Sequence, residues 1–586
     1  MKKNLFTLCF LTGCLAMHAQ WSDNPEVNNL ITPLNAGTYN FEMAVSNNGT
    51  VYVNYLRPIN GNIASVLQIV DPAGNMLFPP EGKIISHKET LSWTLVGQLL
   101  FVDREGNLLI AVTDCRNATD GYSISYSLYK VSATGELLWG EAGLDLANGQ
   151  AFDLVHNMNM LQLEDGSYVC VWAWSDETTT HIQMQRVSQS GEFLWGQEGI
   201  SLFDNTVNCE YPRLVNAGNN QVIVLFTKGG ARYLMARKID FDGSLVWAED
   251  VIIYRGGFTI PPLQGILRII SDQMGGAFVG WYDDRNSTNK ESTYVAHVTA
   301  AGKLGFASGE GGERVGYNEF LRGFAPDMYF DKEASELYVA WRETSSGQSW
   351  QQMTGQKLKI PSGELMWDPD GKEIAPLTED HSISFYSIQG AGNGNVAVFY
   401  SWNTWHPEYF YQWDINSVLL INSKGEHVWE NEIIQFANAV GKKGDLESSP
   451  LIKNSYWITA WSDERKIEED PDGNRKIYLQ RINLDGTLGN NGSSIKMNTL
   501  TSSFAVYPTV VDGDAHFYVN MEKASKADIS LYSIMGQKME TVFSGILPNG
   551  DHVITWNPQK SMLSKGIYIA TLTLDTGKKS IRIIVN

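Results

Sequence analysis

Four segments place a tryptophan two residues before a carboxylate: Trp174-Ser175-Asp176, Trp281-Tyr282-Asp283-Asp284-Arg285, Trp341-Arg342-Glu343 and Trp461-Ser462-Asp463-Glu464-Arg465. Aromatic stacking plus paired hydrogen bonds from a carboxylate to hydroxyls is chemistry that suits sugar recognition. Trp174, Asp176, Trp281, Asp283, Asp284, Trp341, Glu343, Trp461 and Asp463 are therefore the candidate ligand-binding residues. A structural reading competes: the acid caps a turn or pairs with the nearby Arg, and the Trp packs. Glycoside hydrolysis would also need two carboxylates at a set separation.

Other chemical signals are sparse. The sequence has no His-Glu-x-x-His, no Gly-x-Ser-x-Gly and no phosphate-binding Gly loop, so it names no catalytic residue. Asp240-Phe241-Asp242-Gly243-Ser244-Leu245-Val246-Trp247 comes near the Asp-box of sialidase-like propellers, but only once. Asp470-Pro471-Asp472-Gly473-Asn474 offers hard oxygen donors without the spacing of a calcium loop, and reads as a hairpin loop. Cys115, Cys170 and Cys209 are an odd set at wide spacings. They read as buried single thiols, with a Cys115–Cys170 or Cys170–Cys209 bridge the other reading. No cofactor and no metal is implied.

The elements that must position these residues repeat. An apolar residue, a few polar or small ones, Gly, then an apolar or Trp step recurs at Gly74, Gly135, Gly191, Gly243, Gly302, Gly363, Gly425 and Gly486, every 52 to 62 residues. Around each Gly, Val, Ile, Tyr and Trp alternate with polar residues at the period-2 spacing of strands. Four short strands per unit, eight units over, predict an all-β chain with a β-propeller of about eight four-stranded blades. Seven is the alternative count, with units 1, 5 and 7 the least regular. The Trp four residues after the Gly is expected to pack between units. Ser493 to Met497 looks like a terminal strand that could complete the first blade.

The ends set the address. Lys2 and Lys3, the apolar run Leu5 to Leu15, and Met17-His18-Ala19 make residues 1–19 a signal peptide cleaved after Ala19. Leu11-Thr12-Gly13-Cys14 resembles a lipobox, which would instead lipidate Cys14. Removal of Lys2 and Lys3 lowers the formal net charge of −21 by a further two. A surface that acidic repels phosphate backbones and argues against nucleic acid as a partner. Residues 20–500 form the expected propeller domain.

From Phe504 to Asn586 the repeat stops. Tyr507-Pro508, the strand Ile529 to Lys538 with Gly536-Gln537, Gly566-Ile567-Tyr568-Ile569, and the closing basic-apolar run Lys579 to Val585 mark this segment. It resembles the type A C-terminal sorting domain of type IX secretion substrates of Bacteroidetes, although Thr509-Val510 replaces the usual Asn-Pro. Its alternation reads as about seven strands, a small Ig-like β-sandwich. The resemblance implies a sorting signal at Gly536, Gln537, Gly566, Tyr568 and Lys579. It also implies the type IX machinery and its sortase as partners, surface lipopolysaccharide as an anchor, and a secreted or outer cell-surface location reached through the periplasm.

Together these features favour a non-catalytic binding or adhesion module, not an enzyme, for an extracellular glycan or protein ligand. The alternative is an extracellular glycoside hydrolase or polysaccharide lyase on the same scaffold, for which an axial pocket lined by carboxylates would be the sign.

Overall fold

The computed structural model describes residues 21–34, 37–86, 98–117, 124–147, 154–175, 178–202, 207–229, 233–256, 267–285, 290–318, 321–348, 350–379, 382–405, 412–467, 469–490, 504–508, 510–511, 513–521, 523–533, 537–561, 563–574 and 577–585. The leader with Cys14, the Ser493–Met497 segment, Asp176 and Gly536 lie outside them. Chain contacts divide the protein at Asn490/Asn491, ten residues before the expected end of the propeller. Among the described residues no helix is long and apolar enough to cross a membrane.

The first unit is an eight-bladed propeller. Residues 39–86, 98–145, 154–201, 209–255, 268–314, 321–379, 382–437 and 443–483 each form one antiparallel sheet in chain order. The inner strands are Tyr39–Val45, Gln98–Val102, Leu154–Gln162, Cys209–Asn216, Arg268–Ser271, Asp327–Asp331, Ser382–Gly392 and Lys443–Ser448. Each touches the next, and the eighth returns to the first, so the ring is closed. The irregular blade is the sixth, where six strands share the sheet; units 1, 5 and 7, expected to be irregular, each keep four.

Closure runs opposite to expectation. The strand Asn29–Leu30 pairs with Lys476–Asn483, Leu30 opposite Tyr478, and completes the last blade from the N-terminus. Ile200–Ser201, the sequence analogue of the expected terminal strand, is the outermost strand of its own blade.

The Gly turn and the Trp after it form a relay around the ring. Gly302 has φ +72°, and a Cβ there would stand 2.9 Å from the Trp247 ring of the preceding unit. Only glycine takes both the left-handed backbone and that contact without strain. Each relay indole donates Nε1–H to a carbonyl in the next unit's turn: Trp139 to Gln189 at 3.1 Å, Trp195 to Phe241 at 2.9 Å, Trp247 to Ala300 at 3.0 Å and Trp429 to Leu484 at 3.1 Å. The eighth turn has no Trp at that place. Trp21 supplies one from the N-terminus, donating to Pro72 O at 3.0 Å in the first turn.

Second strands such as Leu108–Asp114 and Tyr456–Asp463 are buried on both faces, because blades pack on both sides of them. Inner strands expose one free edge to the axis, where unpaired backbone groups need partners. Side chains from neighbouring blades supply them. Gln98 Nε2–H donates to Asn40 O at 2.8 Å, and Asn159 Nδ2–H to Pro212 O at 3.4 Å. Asp327 accepts from Ile388 N at 2.9 Å, and Glu447 from Met43 N at 2.8 Å.

The second unit is a two-sheet β-sandwich. Phe504–Tyr507, Ala515–Met521 and Gly550–Trp556 form one sheet; Val510–Val511, Ser525–Ser533, Lys538–Leu547, Gly566–Leu574 and Gly577–Val585 form the other. Phe517, Ile529, Leu531, Ala570, Leu572 and Ile583 fill the space between them.

Candidate functional site

Asp283 and Asp463 end their strands and Glu343 lies two residues before the end of its own, and all three face inward, at 2 %, 0 % and 3 % exposure respectively. In each blade the indole Nε1–H of the preceding Trp donates to the acid: Trp281 to Asp283 at 2.9 Å, Trp341 to Glu343 at 3.1 Å, Trp461 to Asp463 at 3.0 Å. The rest of each carboxylate is also taken. Arg285 grips Asp283 through Nε and Nη2, and its guanidinium lies 3.8 Å from both the Tyr254 and Tyr294 ring centres. Arg465 Nη2 binds Asp463 at 2.6 Å while Nη1 donates to Glu26 O in the closing N-terminal segment at 2.7 Å. Gln352 and Thr354 donate to Glu343 at 2.9 and 2.7 Å.

Burial pushes Glu343 above the carboxylate range despite those hydrogen bonds. Burial acts on Asp463 the same way, but Lys443 and Arg465 outweigh it and hold the acid below its usual range. These six residues are clamps that lock strand ends, and they present nothing to a ligand. Asp284 is half-buried beside Arg285.

In the third blade the ladder shows that the sequence pattern is out of register. Trp172, not Trp174, occupies the place of Trp281, Trp341 and Trp461; Trp174 sits where their acid would be, against His181 at 4.2 Å between ring centres. Trp172 Nε1, buried, accordingly has no partner among the described residues. Asp470, from the oxygen-rich loop, is held by Lys476 and by Asn474 Nδ2–H at 2.7 Å, as a hairpin loop requires. All three cysteines are buried as thiols.

The residues that do converge come from the inner strands. The bridge that closes each Gly turn fixes equivalent positions on the third strands, such as Ile482↔Leu488 and Val70↔Met76. Following the ladders inward from there gives one residue per blade at the same level: Glu42, Leu99, Asn159, Arg213, Arg268, Asp327, Ser387 and Glu447. All eight are half-buried, as a lining is, while their flanks enter the core.

Charge around this belt is polarised. Glu447 and Glu42 are neighbours on blades 8 and 1. Arg213 and Arg268 are neighbours on blades 4 and 5, across the ring. Burial and the charge of Asp445 push Glu42 up to about 7, and burial followed by the Glu42 charge lifts Glu447 as well. Burial and the Arg268 charge bring the Arg213 guanidinium down to about 10. Asp327 offsets Arg268 in part, 3.6 Å away. Among the described residues no carboxylate lies within ion-pair distance of Arg213, and no cation within that distance of Glu42.

Bulges stand immediately before the belt. The ladders skip between His156 and Asn159, Glu210 and Arg213, and Gly444 and Glu447. The bulged Asn157, Tyr211 and Asp445 have φ of 55°, 56° and 53°. A bulge turns side chains out of the sheet plane, here toward the axis, and a left-handed tyrosine is costly enough to call for a reason. His156 packs against the Tyr211 ring at 6.3 Å between ring centres, and its Nδ1, with Asn157 Nδ2, has no partner among the described residues. At the other end of the inner strands a cavity of about 330 Å³ opens among Ser46, Phe101, Asp103, Arg104, Gln162 and Asn216.

Motif reading missed the belt because its members stand about sixty residues apart. The repeat phase was the usable signal, had it been carried to the first strand of each unit. In the C-terminal unit, Gln537 exchanges hydrogen bonds with Ser533 at 2.9 and 3.2 Å, and Gly566 opens its strand. Tyr568 is buried with its hydroxyl on Ser564 O at 2.8 Å, and Lys579 lies on the closing strand opposite Leu572.

No family model matches the sequence, and no curated protein matches it. Among solved structures the chain is similar to polysaccharide lyase Uly1, at 12% identity, over 82% of this chain and 94% of that one, with a TM-score of 0.36. It is similar to an α-L-arabinanase of Penicillium chrysogenum complexed with arabinobiose, at 12% identity, 79% and 98% coverage and a TM-score of 0.31. The β-propeller domain of the Trilobed protease from Pyrococcus furiosus is similar at 10% identity, 70% and 98% coverage and a TM-score of 0.36. The expectation that the chain is not an enzyme is corrected here, since these neighbours are mostly enzymes. That expectation rested on local motifs, which cannot register groups assembled from separate blades. Likeness at this level assigns no activity or substrate to the chain.

Proposed function

We propose that the chain is an exported glycan-cleaving propeller that works at its axial belt, with Glu42 and Glu447 as the proton-transferring pair. The observation that supports this reading is two carboxylates at equivalent positions of adjacent blades, both with raised proton affinity. Like charges that close cannot both ionise easily, so the pair retains a proton near neutral pH. The protonated carboxyl gives its proton to the departing glycosidic oxygen as the C–O bond breaks. The ionised partner takes a proton from the attacking water, whose oxygen forms the new C–O bond. One water is added, and the pair exchanges its proton back with solvent.

The test is release of reducing ends by the full secreted chain from polygalacturonate, alginate, sulfated galactan and neutral galactan. Turnover that falls at least 100-fold in both Glu42→Gln and Glu447→Gln supports the reading. Turnover that survives both changes, or no turnover on any of the four, overturns it.

Export by the type IX route follows from the leader and from the sorting-domain resemblance of residues 504–586, with the secretion machinery and sortase as partners and surface lipopolysaccharide as anchor. Deleting 504–586 leaves the protein in the periplasm, and grafting the segment onto a periplasmic reporter sends the reporter to the surface. Surface display of the truncated protein, or a graft that stays inside, sinks this assignment.

A further inference from the structure

The belt wastes an opportunity if it serves stability alone. Alternating signs around eight equivalent positions would pair every charge with a neighbour. Here Glu42 and Glu447 stand side by side, Arg213 and Arg268 stand side by side, and the two pairs face each other from blades 8 and 1 to blades 4 and 5. A partly buried guanidinium next to a second one costs free energy unless an anion joins them. Four of the eight members do have structural work at the free edge: Glu447, Asp327, Asn159 and Ser387 each bond to the inner strand of the following blade. Arg213 does not; among the described residues its side chain makes one hydrogen bond, to the carbonyl of Pro212, its own neighbour, at 3.0 Å. Beside it the bulge of blade 3 leaves His156 Nδ1 and Asn157 Nδ2 buried and without partners among the described residues. Buried polar atoms without partners among the described residues, and a guanidinium without a carboxylate, therefore gather on one side of the axis, opposite the carboxylate pair.

We infer that the belt takes an anionic saccharide, with Arg213 and Arg268 holding its acidic group while the Glu42–Glu447 side meets its hydroxyls or glycosidic oxygen. The acidic group is a uronate carboxylate or a sulfate ester. Paired guanidiniums recognise both through parallel N–H donors, and the arms of the test separate them. The carboxylate pair opposite repels a second acid, so the ligand is expected to enter in one orientation. This inference rests on the axial belt being the site, but not on its being catalytic.

The experiment is calorimetric titration of the full secreted chain with trigalacturonate, a sulfated galactotriose and neutral galactotriose at low and moderate salt. One of the two anionic trisaccharides is expected to bind at least tenfold more tightly than the neutral one and to weaken as salt rises. Arg213→Met and Arg268→Met each reduce that binding at least tenfold, Arg213→Met without lowering the melting temperature and Arg268→Met with the small cost of its ion pair to Asp327. Arg255→Met, at an exposed residue away from the belt, leaves it unchanged. Arg213→Lys guards against misfolding: it keeps the charge, loses the fork, and binds between wild type and Arg213→Met. Equal binding of all three sugars, no binding of either anion, or undiminished anion binding by folded Arg213→Met would overturn the inference. Anion binding through Arg213 and Arg268 without any bond cleavage would remove the catalytic reading and leave this one standing. Cleavage of the neutral galactan with no anion preference would do the reverse.

Discussion

The propeller uses charge in two ways, and the contrast separates scaffold from site. The Trp–acid clamps at the ends of second strands match every carboxylate to an indole and to cations or amide donors, and they sit in the core. The axial belt sets Glu42 beside Glu447 and Arg213 beside Arg268 in a half-buried lining, with the two pairs across the ring from each other and Asp327 offsetting Arg268 in part. Both sets come from the same repeat at fixed register positions. Buried charge is tolerated in the clamps because each partner is satisfied, and tolerated in the belt because something outside the chain completes it. Pairing, not residue type, tells the two apart.

Removing one partner from each set should expose this difference. Asp463→Ala takes from the buried Arg465 and Lys443 the anion they share, where Lys443 is already brought down to about 8, chiefly by burial. A loss of about 3–5 kcal/mol is expected, seen as a shift of the urea midpoint. Asp283→Ala should cost less, about 2 kcal/mol, because the Arg285 side chain keeps 21% exposure and its two Tyr rings. Equal losses at the two sites would mean that burial of the stranded cation does not set the cost. A clamp variant that kept its stability but lost saccharide binding would collapse the comparison altogether.

Much of the fold was legible, for reasons that the structure makes explicit. The Gly turns recur because all eight take positive φ, which favours glycine, and several stand hard against an aromatic ring of the preceding unit, so their spacing counts the blades. Closure was not legible. The strand Asn29–Leu30 is two residues long, and nothing in two residues signals that it completes a blade. The clamps were found and misassigned, since Trp-x-Asp reads alike whether the pair faces a sugar or each other; only burial decides. In blade 3, only Trp174 has an acid two residues on, and Asp176 puts the pattern two residues out of phase with the ladder. The belt was illegible to motif search because no two members are close in sequence, and charge at a single inner-strand position looks like ordinary strand polarity.

The finest separation of the two sets lies in the sign of their pH dependence. Glu42 holds its proton more tightly in the folded chain than in the unfolded one, up to about 7. The folded state therefore binds more protons between about pH 4.5 and 7, and the stability due to this group is full below that window and lost as pH rises through it. Glu42→Gln keeps the shape and removes the titration. A tenfold difference in proton affinity between folded and unfolded chain corresponds to about 1.4 kcal/mol, and water along the axis screens part of it, so the variant should gain about 1 kcal/mol on the wild type at pH 8. The two should be equal at pH 4. Asp463 has the opposite sign. Its folded affinity for a proton is depressed, so its contribution is present above the unfolded carboxylate range and lost as pH falls below it. The penalty of Asp463→Asn should accordingly be largest at neutral pH and shrink toward pH 3. Chemical denaturation of both variants from pH 3 to 8 reads the two slopes directly. Slopes of the same sign would mean that belt and clamp carboxylates share one electrostatic role, and that the axial pair is scaffold after all.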